Sequence, residues 1–503
     1  MLFPAGRDDA ARWIAGERMR RTIVVIGGGI TGLAAARRLH RLEPQAQVHL
    51  LEASSRLGGV LQTRDAAGFL IEEAADGFLT NPAAAVDLCR GLGLGDSLIS
   101  PNEAGRQAMV VHRGRLQSIP AGFTVMAPSR LSPLLRTPVL SVRGKLRAAA
   151  ECCIPRRRCD SDESIGSFVR RRFGRELLDR LVQPLISGIY TGEIDRLSLQ
   201  ATMPRLRQME AQHGSLLRAM LKQRRQGAVD ASRGARYGQF ASLRGGMGTL
   251  IAALAASLPA ESLQCDSPAE RIAPASSGRQ WRVCTGGRQP RRLAADAVIV
   301  AAPAHRAATL LADADPELAA DLREIDYASC AIASLGYRLD QIGRRLDGFG
   351  FVVPLVEGRR ILSCSFASVK YPGRAPAGAL LMRVFMGGVC QSDLLQLADD
   401  QLLELAHRDV APLLNIRGGP FMQHIVRHAR VMPQYHVGHC QRVARIEQAV
   451  ARRGTLAVAG SAFRGVGVPA CIRDGEAAAE QIHASLTNGA AAGAPRTCPT
   501  APV

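Results

Sequence analysis

The chain has 503 residues, of which 47% are hydrophobic and 21% charged, so it can bury a large core, and a disordered or low-complexity protein is excluded. Its formal net charge is +20, yet aromatic residues are only 4%, which leaves little material for a base-stacking nucleic-acid platform. All but three of the 64 basic residues are arginine, the twelve cysteines contain no C-x-x-C pair, and no apolar run approaches the roughly 18 residues of a spanning helix, so a zinc-ribbon frame and a bilayer-crossing chain are excluded too.

Residues 1–20 mix Arg, Asp and Glu without an apolar signal core, and read as a tail or as lying upstream of a start at Met19. The next segment organises the rest. Residues 23–26, Ile-Val-Val-Ile, predict a buried parallel strand, and residues 33–42 predict a helix packed on a sheet. Between them stands Gly27-x-Gly29-x-x-Gly32. Gly27 makes the tight turn, Gly29 lets a diphosphate approach the backbone, Gly32 lets helix and strand press together, and the helix N-terminus offers N–H groups to phosphates. Glu52 follows Gly32 by twenty residues, at the end of a second predicted strand, where a carboxylate can accept ribose hydroxyls. A dinucleotide site is the expectation. The continuation Glu52-x-x-x-Arg56-x-Gly58-Gly59 is unusual after a nicotinamide fingerprint and resembles the flavoprotein oxidases and desaturases related to amine oxidase, which implies non-covalent FAD.

Further along, residues 60–71 predict a hairpin turning at 66–68, Asn81-Pro82 starts a helix running to 92, and residues 109–119 predict a hairpin with Arg113-Gly114 at its turn. Residues 131–225 are helical and basic, with Asp162-Glu163-Ser164 capping a helix that carries Phe168 and Arg170 to Arg172. The clusters Arg156 to Arg158, Arg170 to Arg172 and Arg224-Arg225 read first as a solvated surface, then as a patch for anionic lipid or acidic substrate, and last as a nucleic-acid site. Residues 243–250 return to the cofactor domain, followed by a helix, strands around 270–272 and 281–283, and a buried strand at 297–303. Short β-like runs over 327–388 predict a substrate sheet. A last strand at 455–459 leads through the glycine-rich turn 460–469 into a helix at 471–486 and an Ala/Gly/Pro-rich tail. That turn offers a second helix N-terminus to a flavin.

Leu116-Gln117-Ser118-Ile119-Pro120, Glu163-Ser164-Ile165 with residues 168–176, residues 184–190 with Leu197-Ser198, residues 370–376 and residues 465–469 together resemble the FAD-dependent, oxygen-using protoporphyrinogen oxidases of bacterial type, over residues 21–486. The resemblance implies an α/β fold: a Rossmann-like FAD domain of the p-hydroxybenzoate hydroxylase type, an inserted substrate-binding sheet and a helical membrane-associating subdomain. The corresponding division is 1–20 tail, 21–80 FAD part, 81–130 substrate part, 131–235 helical subdomain, 236–310 FAD part, 311–445 substrate sheet, 446–487 FAD part and 488–503 tail. For FAD it implies Gly27, Gly28, Gly29, Ile30, Thr31, Gly32, Glu52, Ala53, Arg56, Gly58, Gly59, Val60, Asp76, Gly77, Ala269 through its backbone, Ser461, Val466, Gly467 and Val468. For the porphyrinogen it implies Phe349, Val352 and Phe385. The chain departs from the family in having Ala74-Ala75 before Asp76, and Ala108 where some relatives place an arginine for a propionate; Arg106 or Arg113 stands nearby as a substitute.

The reaction so implied is stepwise oxidation of a porphyrinogen to its porphyrin, with hydride passing to the flavin, pyrrole protons lost and oxygen reduced to hydrogen peroxide. No His, Cys or Ser constellation requires a base or nucleophile, so neither a catalytic residue nor a metal site is named. The pocket residues are apolar and the propionate position is uncharged, so protoporphyrinogen IX is expected ahead of the tetracarboxylate coproporphyrinogen III. A carotenoid or squalene-type desaturase and a flavin-free basic scaffold are the rivals. Peripheral contact with an anionic membrane on its cytoplasmic face is expected, a homodimer is compatible with the chain, and nucleic acid is not a partner.

Overall fold

The computed structural model describes residues 20–103, 107–124, 127–128, 131–225, 239–275 and 281–488. The tail residues 1–19 and 489–503, the side chains of Arg224 and Arg225, and Arg106 lie outside what is described.

Strands Thr22–Ile26 and Gln47–Leu51 lie parallel in a five-stranded sheet whose order is Leu263–Gln264, Gln47–Leu51, Thr22–Ile26, Ala297–Val300, Leu456–Val458. The β-branched run forms the central strand because both its faces are covered. Ile23 and Val25 point into one core with Leu33, Leu39 and Ile472, while Val24 and Ile26 point into another with Trp281, Leu310 and Ile446. That alternation is the period of two of a pleated strand, and each such side chain contributes roughly 1.5–3 kcal/mol on burial. Register aligns the strand ends. Ile26 pairs with both Leu51 and Val300, so the turns carrying Gly27, Glu52 and Ala301 emerge side by side at the carboxyl edge, where open α/β sheets bind ligands.

The helix Ile30–Leu42 lies on one face against the closing helix Val468–Asn488. Their approach is close enough that a Cβ on Gly475 would sit 2.2 Å from the Thr31 carbonyl oxygen. The closing helix starts three residues before the predicted position, because the Gly467 carbonyl accepts the N–H groups of Ala470 and Cys471 at 3.0 Å, and Pro469 is tolerated in a first turn.

The second sheet is mixed and has seven strands, in the order Met422–Pro433, Tyr327–Arg338, Ala379–Gly387, Ser363–Phe366, Gly350–Val352, Ala108–His112, Arg115–Ser118. Only the Gly350–Val352 to Ala108–His112 pairing is parallel. Its longest strands have 12 residues, against the short runs expected. Ala328, Ala331, Ala333, Ser334 and Gly336 dilute the β-branched signal there, and pairing on both sides supplies what local propensity lacks. One face packs on the helix Asp399–Leu414.

Residues 131–225 form the predicted helical layer around Phe168, Phe173, Leu177 and Leu181. Ser164 caps its helix by accepting from the Ser167 N–H at 3.1 Å. The reading of the Arg170 to Arg172 cluster as solvated surface is corrected. Arg172 is 0% exposed, with Nε donating to Glu151 Oε1 at 2.7 Å, and half-buried Arg171 pairs with Glu210 at 2.6 Å and Glu163 at 2.8 Å. Only Arg170, paired with Asp195, faces solvent. Among the described residues no helix is long and apolar enough to cross a membrane.

Candidate functional site

The fingerprint turn has the geometry its glycines imply. Gly27 has φ of +107°, and its N–H donates to the Leu51 carbonyl at 2.8 Å, tying the turn to the second strand. A Cβ on Gly32 would fall 1.9 Å from the Gly27 carbonyl oxygen, so helix and turn touch backbone to backbone. Gly29 differs from both. It is extended, caps the helix without any side-chain hydrogen bond, and a Cβ added there would meet nothing within 4 Å. This open cradle before uncapped helix N–H groups, Ile30 and Thr31 among them, is the shape and polarity a diphosphate needs.

Glu52 stands one residue past the second strand, beside the fingerprint turn. Its Oε2 accepts from the Gly28 N–H at 2.7 Å, and its Oε1 accepts from the N–H and hydroxyl of Ser54 at 2.8 and 2.7 Å. The Gly58 N–H donates to the Gly28 carbonyl at 2.8 Å, which lays the Arg56 to Gly59 segment along the fingerprint. Ala53, Arg56, Gly59 and Val60 are exposed along it, and the Arg56 guanidinium rests on the Gly59 carbonyl at 2.8 Å. Ala269 begins its strand two residues after Ser267, whose N–H donates to the Glu52 carbonyl at 2.9 Å. The residues predicted for a dinucleotide are thus brought together, and they fit FAD.

At the other end, Asp474 of the closing helix accepts from the Gly460 N–H at 2.7 Å and from Arg464 at 2.9 Å. Tyr435 spans the same loop: its hydroxyl donates to the Ser461 carbonyl and accepts from the Gly465 N–H at 2.8 Å. Burial raises this phenol far above its ordinary pKa, so it remains a donor. The Tyr435 ring stacks on His439, centroids 4.1 Å apart, and His439 Nε2 donates to the Phe463 carbonyl at 3.2 Å. Burial lowers the imidazole to about 4, so it is neutral at pH 7. Sequence reading passed over this pair; the usable signal is that Tyr435 is one of only six tyrosines.

From this loop a cavity of about 1600 Å³ extends between the seven-stranded sheet and the helical layer. Val466, Gly467, Val468, Gly77, Phe349 and Val352 line it, as does Ala108. Phe385 pairs across the sheet with the lining residue Ser363 and shares a face of its strand with Arg383, whose guanidinium lies 5.2 Å from its ring, so it stands on the cavity side of the sheet without being among the described lining residues. Arg113 stands exposed at its hairpin tip and is not among them either. Among the described residues the cations that line the cavity are Arg136, Arg345, Lys370 and Arg473.

Asp76 sits behind the wall, between lining residues Ala75 and Gly77. Its carboxylate accepts from Lys370 Nζ at 2.9 and 3.1 Å and lies 3.7 Å from Arg383. Burial opposes its charge, but Lys370 and Arg383 outweigh that and hold it below the ordinary carboxylate value. Glu72 is raised instead, chiefly by burial, although the Met247 N–H and the Thr63 hydroxyl both donate to it at 2.8 Å. Arg374 donates to Ser242 and Leu243. These ionised groups clamp the 72–77 loop between the two sheets, so the Asp76 side chain is engaged by protein while its neighbours face the cavity. Lys370, one of three lysines, was a legible signal left unused.

Residues 30–483 match the family described as flavin containing amine oxidoreductase. The chain is 34% identical over 464 residues to the coproporphyrinogen III oxidase of Bacillus subtilis (strain 168), covering 91% of this chain and 97% of that one. It is 32% identical over 499 residues to the protoporphyrinogen oxidase of Bos taurus, covering 93% and 100%. A crystal structure from Exiguobacterium sp. 255-15, assigned as a protoporphyrinogen oxidase, superposes with a TM-score of 0.81 at 30% identity, covering 92% and 98%. Reduced UDP-galactopyranose mutase shares the fold alone, with a TM-score of 0.70 at 16% identity. The chain belongs to the flavin containing amine oxidoreductases, an α/β fold with mixed sheets, and FAD is its cofactor.

Proposed function

We propose that this flavoprotein oxidises coproporphyrinogen III to coproporphyrin III in porphyrin biosynthesis, with oxygen as acceptor and hydrogen peroxide as product. The observation that carries this reading is the cavity, about 1600 Å³, opening on the loop that carries Ser461 and Val466 to Val468. It is larger than the roughly 300–1,000 Å³ of ordinary small-molecule sites and suits a macrocycle. FAD supplies the two-electron acceptor. The chain supplies the rest: Phe349 and Val352 present an apolar wall to the ring system, Tyr435 holds the loop still, and the apolar interior keeps water from a readily oxidised substrate. The Asp76 and Gly77 loop, clamped by Lys370 and Arg383, would help hold the flavin.

The order of substrates reverses the one expected from apolar pocket residues and an uncharged Ala108. Among the described residues four cations line the cavity against two carboxylates, Glu103 and Asp347, and three curated bacterial relatives, at 30 to 36% identity, are named coproporphyrinogen III oxidase. Protoporphyrinogen IX remains the second reading, favoured by the apolar floor and by mammalian relatives of that name. Turnover of both by the FAD-loaded enzyme, followed by porphyrin fluorescence, separates them, since kcat/KM measures discrimination. A preference of about tenfold or more for coproporphyrinogen III is expected; the opposite preference reverses the order, and turnover of neither ends the porphyrinogen reading.

We assign the parallel sheet to the p-hydroxybenzoate hydroxylase type of FAD domain and the helical layer to membrane contact. Val142 and Leu146, 72% and 64% exposed, share a helix with Arg143 and Lys145 near Arg136 at the cavity rim. Each such cation contributes about 1 kcal/mol near an anionic surface, so flotation with phosphatidylserine vesicles should be lost at high salt, and absence of flotation at any salt removes the assignment.

A further inference from the structure

Of the four cations on the cavity wall, two are already engaged: Lys370 by Asp76 at 2.9 Å and Arg345 by Asp347 at 2.8 Å. Arg136 is exposed to water at the rim. Arg473 differs from all three. It stands on the closing helix, half-buried, and its Nε is shut off from water without a hydrogen-bond partner. Among the described residues no carboxylate pairs with its guanidinium. Its neighbour Asp474 is committed to the Gly460 N–H and to Arg464.

A guanidinium keeps its charge at any physiological pH and carries five donors in a planar fork. Buried donors are almost always satisfied, and a half-buried cation without an anion is costly. An unmet buried donor on a guanidinium that lines a cavity points to an anion that arrives with the ligand. Two sources exist, a substrate carboxylate and the FAD diphosphate. Helix geometry chooses between them. Gly475, two residues on, is the position pressed against Thr31 of the fingerprint helix, and two residues turn a helix by about 200°. Arg473 therefore projects from the face opposite the diphosphate cradle, into the cavity that Pro469 and Ala470 also line.

We propose that Arg473 is a specificity-determining residue that takes one propionate carboxylate of the substrate in a bidentate pair, doing from the closing helix what the uncharged Ala108 cannot do from the sheet. This rests on the porphyrinogen reading above. The test uses the FAD-loaded enzyme and its Arg473→Gln and Arg473→Lys variants. Binding of coproporphyrin III and of its tetramethyl ester, the same macrocycle without charge, is measured by fluorescence in one detergent buffer, with FAD content and Tm measured in parallel. Expected is a rise of about tenfold to a hundredfold in Kd of the tetra-acid for Arg473→Gln, a smaller rise for Arg473→Lys, and no change for the ester, FAD content or Tm. An unchanged Kd for the tetra-acid overturns the proposal. So does an equal loss of acid and ester, which would make the residue part of the cavity's shape, or a loss of FAD with porphyrin binding intact, which would make the diphosphate its anion. If the unaltered enzyme binds neither porphyrin, the porphyrinogen reading falls and the proposal with it.

Discussion

The dinucleotide cleft and the substrate cavity are built in opposite ways. The cleft is made of backbone: Gly27, Gly28, Gly29, Gly32 and Gly58 fall within 32 residues, and only Glu52 adds a side chain with a specific task. The cavity is made of side chains drawn from segments hundreds of residues apart, with Lys370 of its wall held by Asp76, and the helical layer on one side of it is held by the buried pair Arg172 with Glu151. A backbone site fails when a Cβ intrudes. A side-chain site fails when one charge loses its partner.

The largest expected effect is therefore in the helical layer beside the cavity. Arg172 is fully buried, donates also to the carbonyls of Ile154 and Gly214 at 2.9 Å, and faces a Glu151 that further accepts from the Ser215 hydroxyl and the Leu216 N–H. Arg172→Ala leaves that carboxylate buried and unpaired, at a cost of about 3–5 kcal/mol. Chemical denaturation should show this loss, and pairing Arg172→Met with Glu151→Met should restore most of it. Full FAD content in whatever folds would sharpen the contrast, since the cleft does not depend on this layer.

Gly32→Val tests the other mode. Its Cβ would stand 1.9 Å from a backbone oxygen, so the helix must move, and the cost is at least the roughly 3 kcal/mol at the top of ordinary overpacking. Loss of bound FAD together with a lowered Tm is expected. Gly29→Ala, whose Cβ meets nothing in the protein, should instead leave the apoprotein's Tm unchanged and still weaken FAD.

This contrast also explains what was legible in the sequence. The fingerprint, its strand, helix and acid could be read because glycine spacing, β-branched runs and a carboxylate at a strand end are local instructions. The layers on either side of the parallel sheet follow from the alternation of Ile23 to Ile26. The cavity was legible only through resemblance: Phe349 and Val352 line it, and Phe385 lies on the same sheet face beside Arg383. Arg172 was read as surface because nothing nearby in sequence announces Glu151 and Glu210, which reach it from 21 and 38 residues away. Tyr435 and Arg473 acquire meaning only once the second sheet and the closing helix meet.

Where the two regions join, pH should decide. His439 carries the flavin-side loop through Phe463 and Tyr435; His436 and Arg442 nearby discourage its protonation and Asp162 favours it, but burial dominates and lowers it to about 4. The unfolded chain takes up this proton near its ordinary value of 6.5, so the folded state is at full advantage above pH 6.5 and loses it as pH falls toward 4. The loss approaches about 3 kcal/mol over that window. Denaturant titrations at pH 7 and pH 4.5 measure it, and His439→Phe should flatten the slope between them; an unchanged slope would sink the assignment to this residue.

The smallest effect belongs to the one side chain on which the cleft relies. Glu52 already accepts from the Gly28 N–H and from the N–H and hydroxyl of Ser54, which leaves one of its roughly four lone-pair sites for a ribose hydroxyl of FAD. Glu52→Ala removes a charged acceptor, worth about 1.5–3 kcal/mol, so FAD should dissociate roughly 10 to 150 times more readily at equilibrium. Glu52→Gln keeps one acceptor in place and replaces the other by an amide donor, so it should fall between the parent and Glu52→Ala. Titrating FAD into apoprotein, with flavin fluorescence as the signal, gives all three constants. Full affinity in Glu52→Ala would mean that the adenosine is held by backbone alone, and the division between a backbone cleft and a side-chain cavity would then be complete.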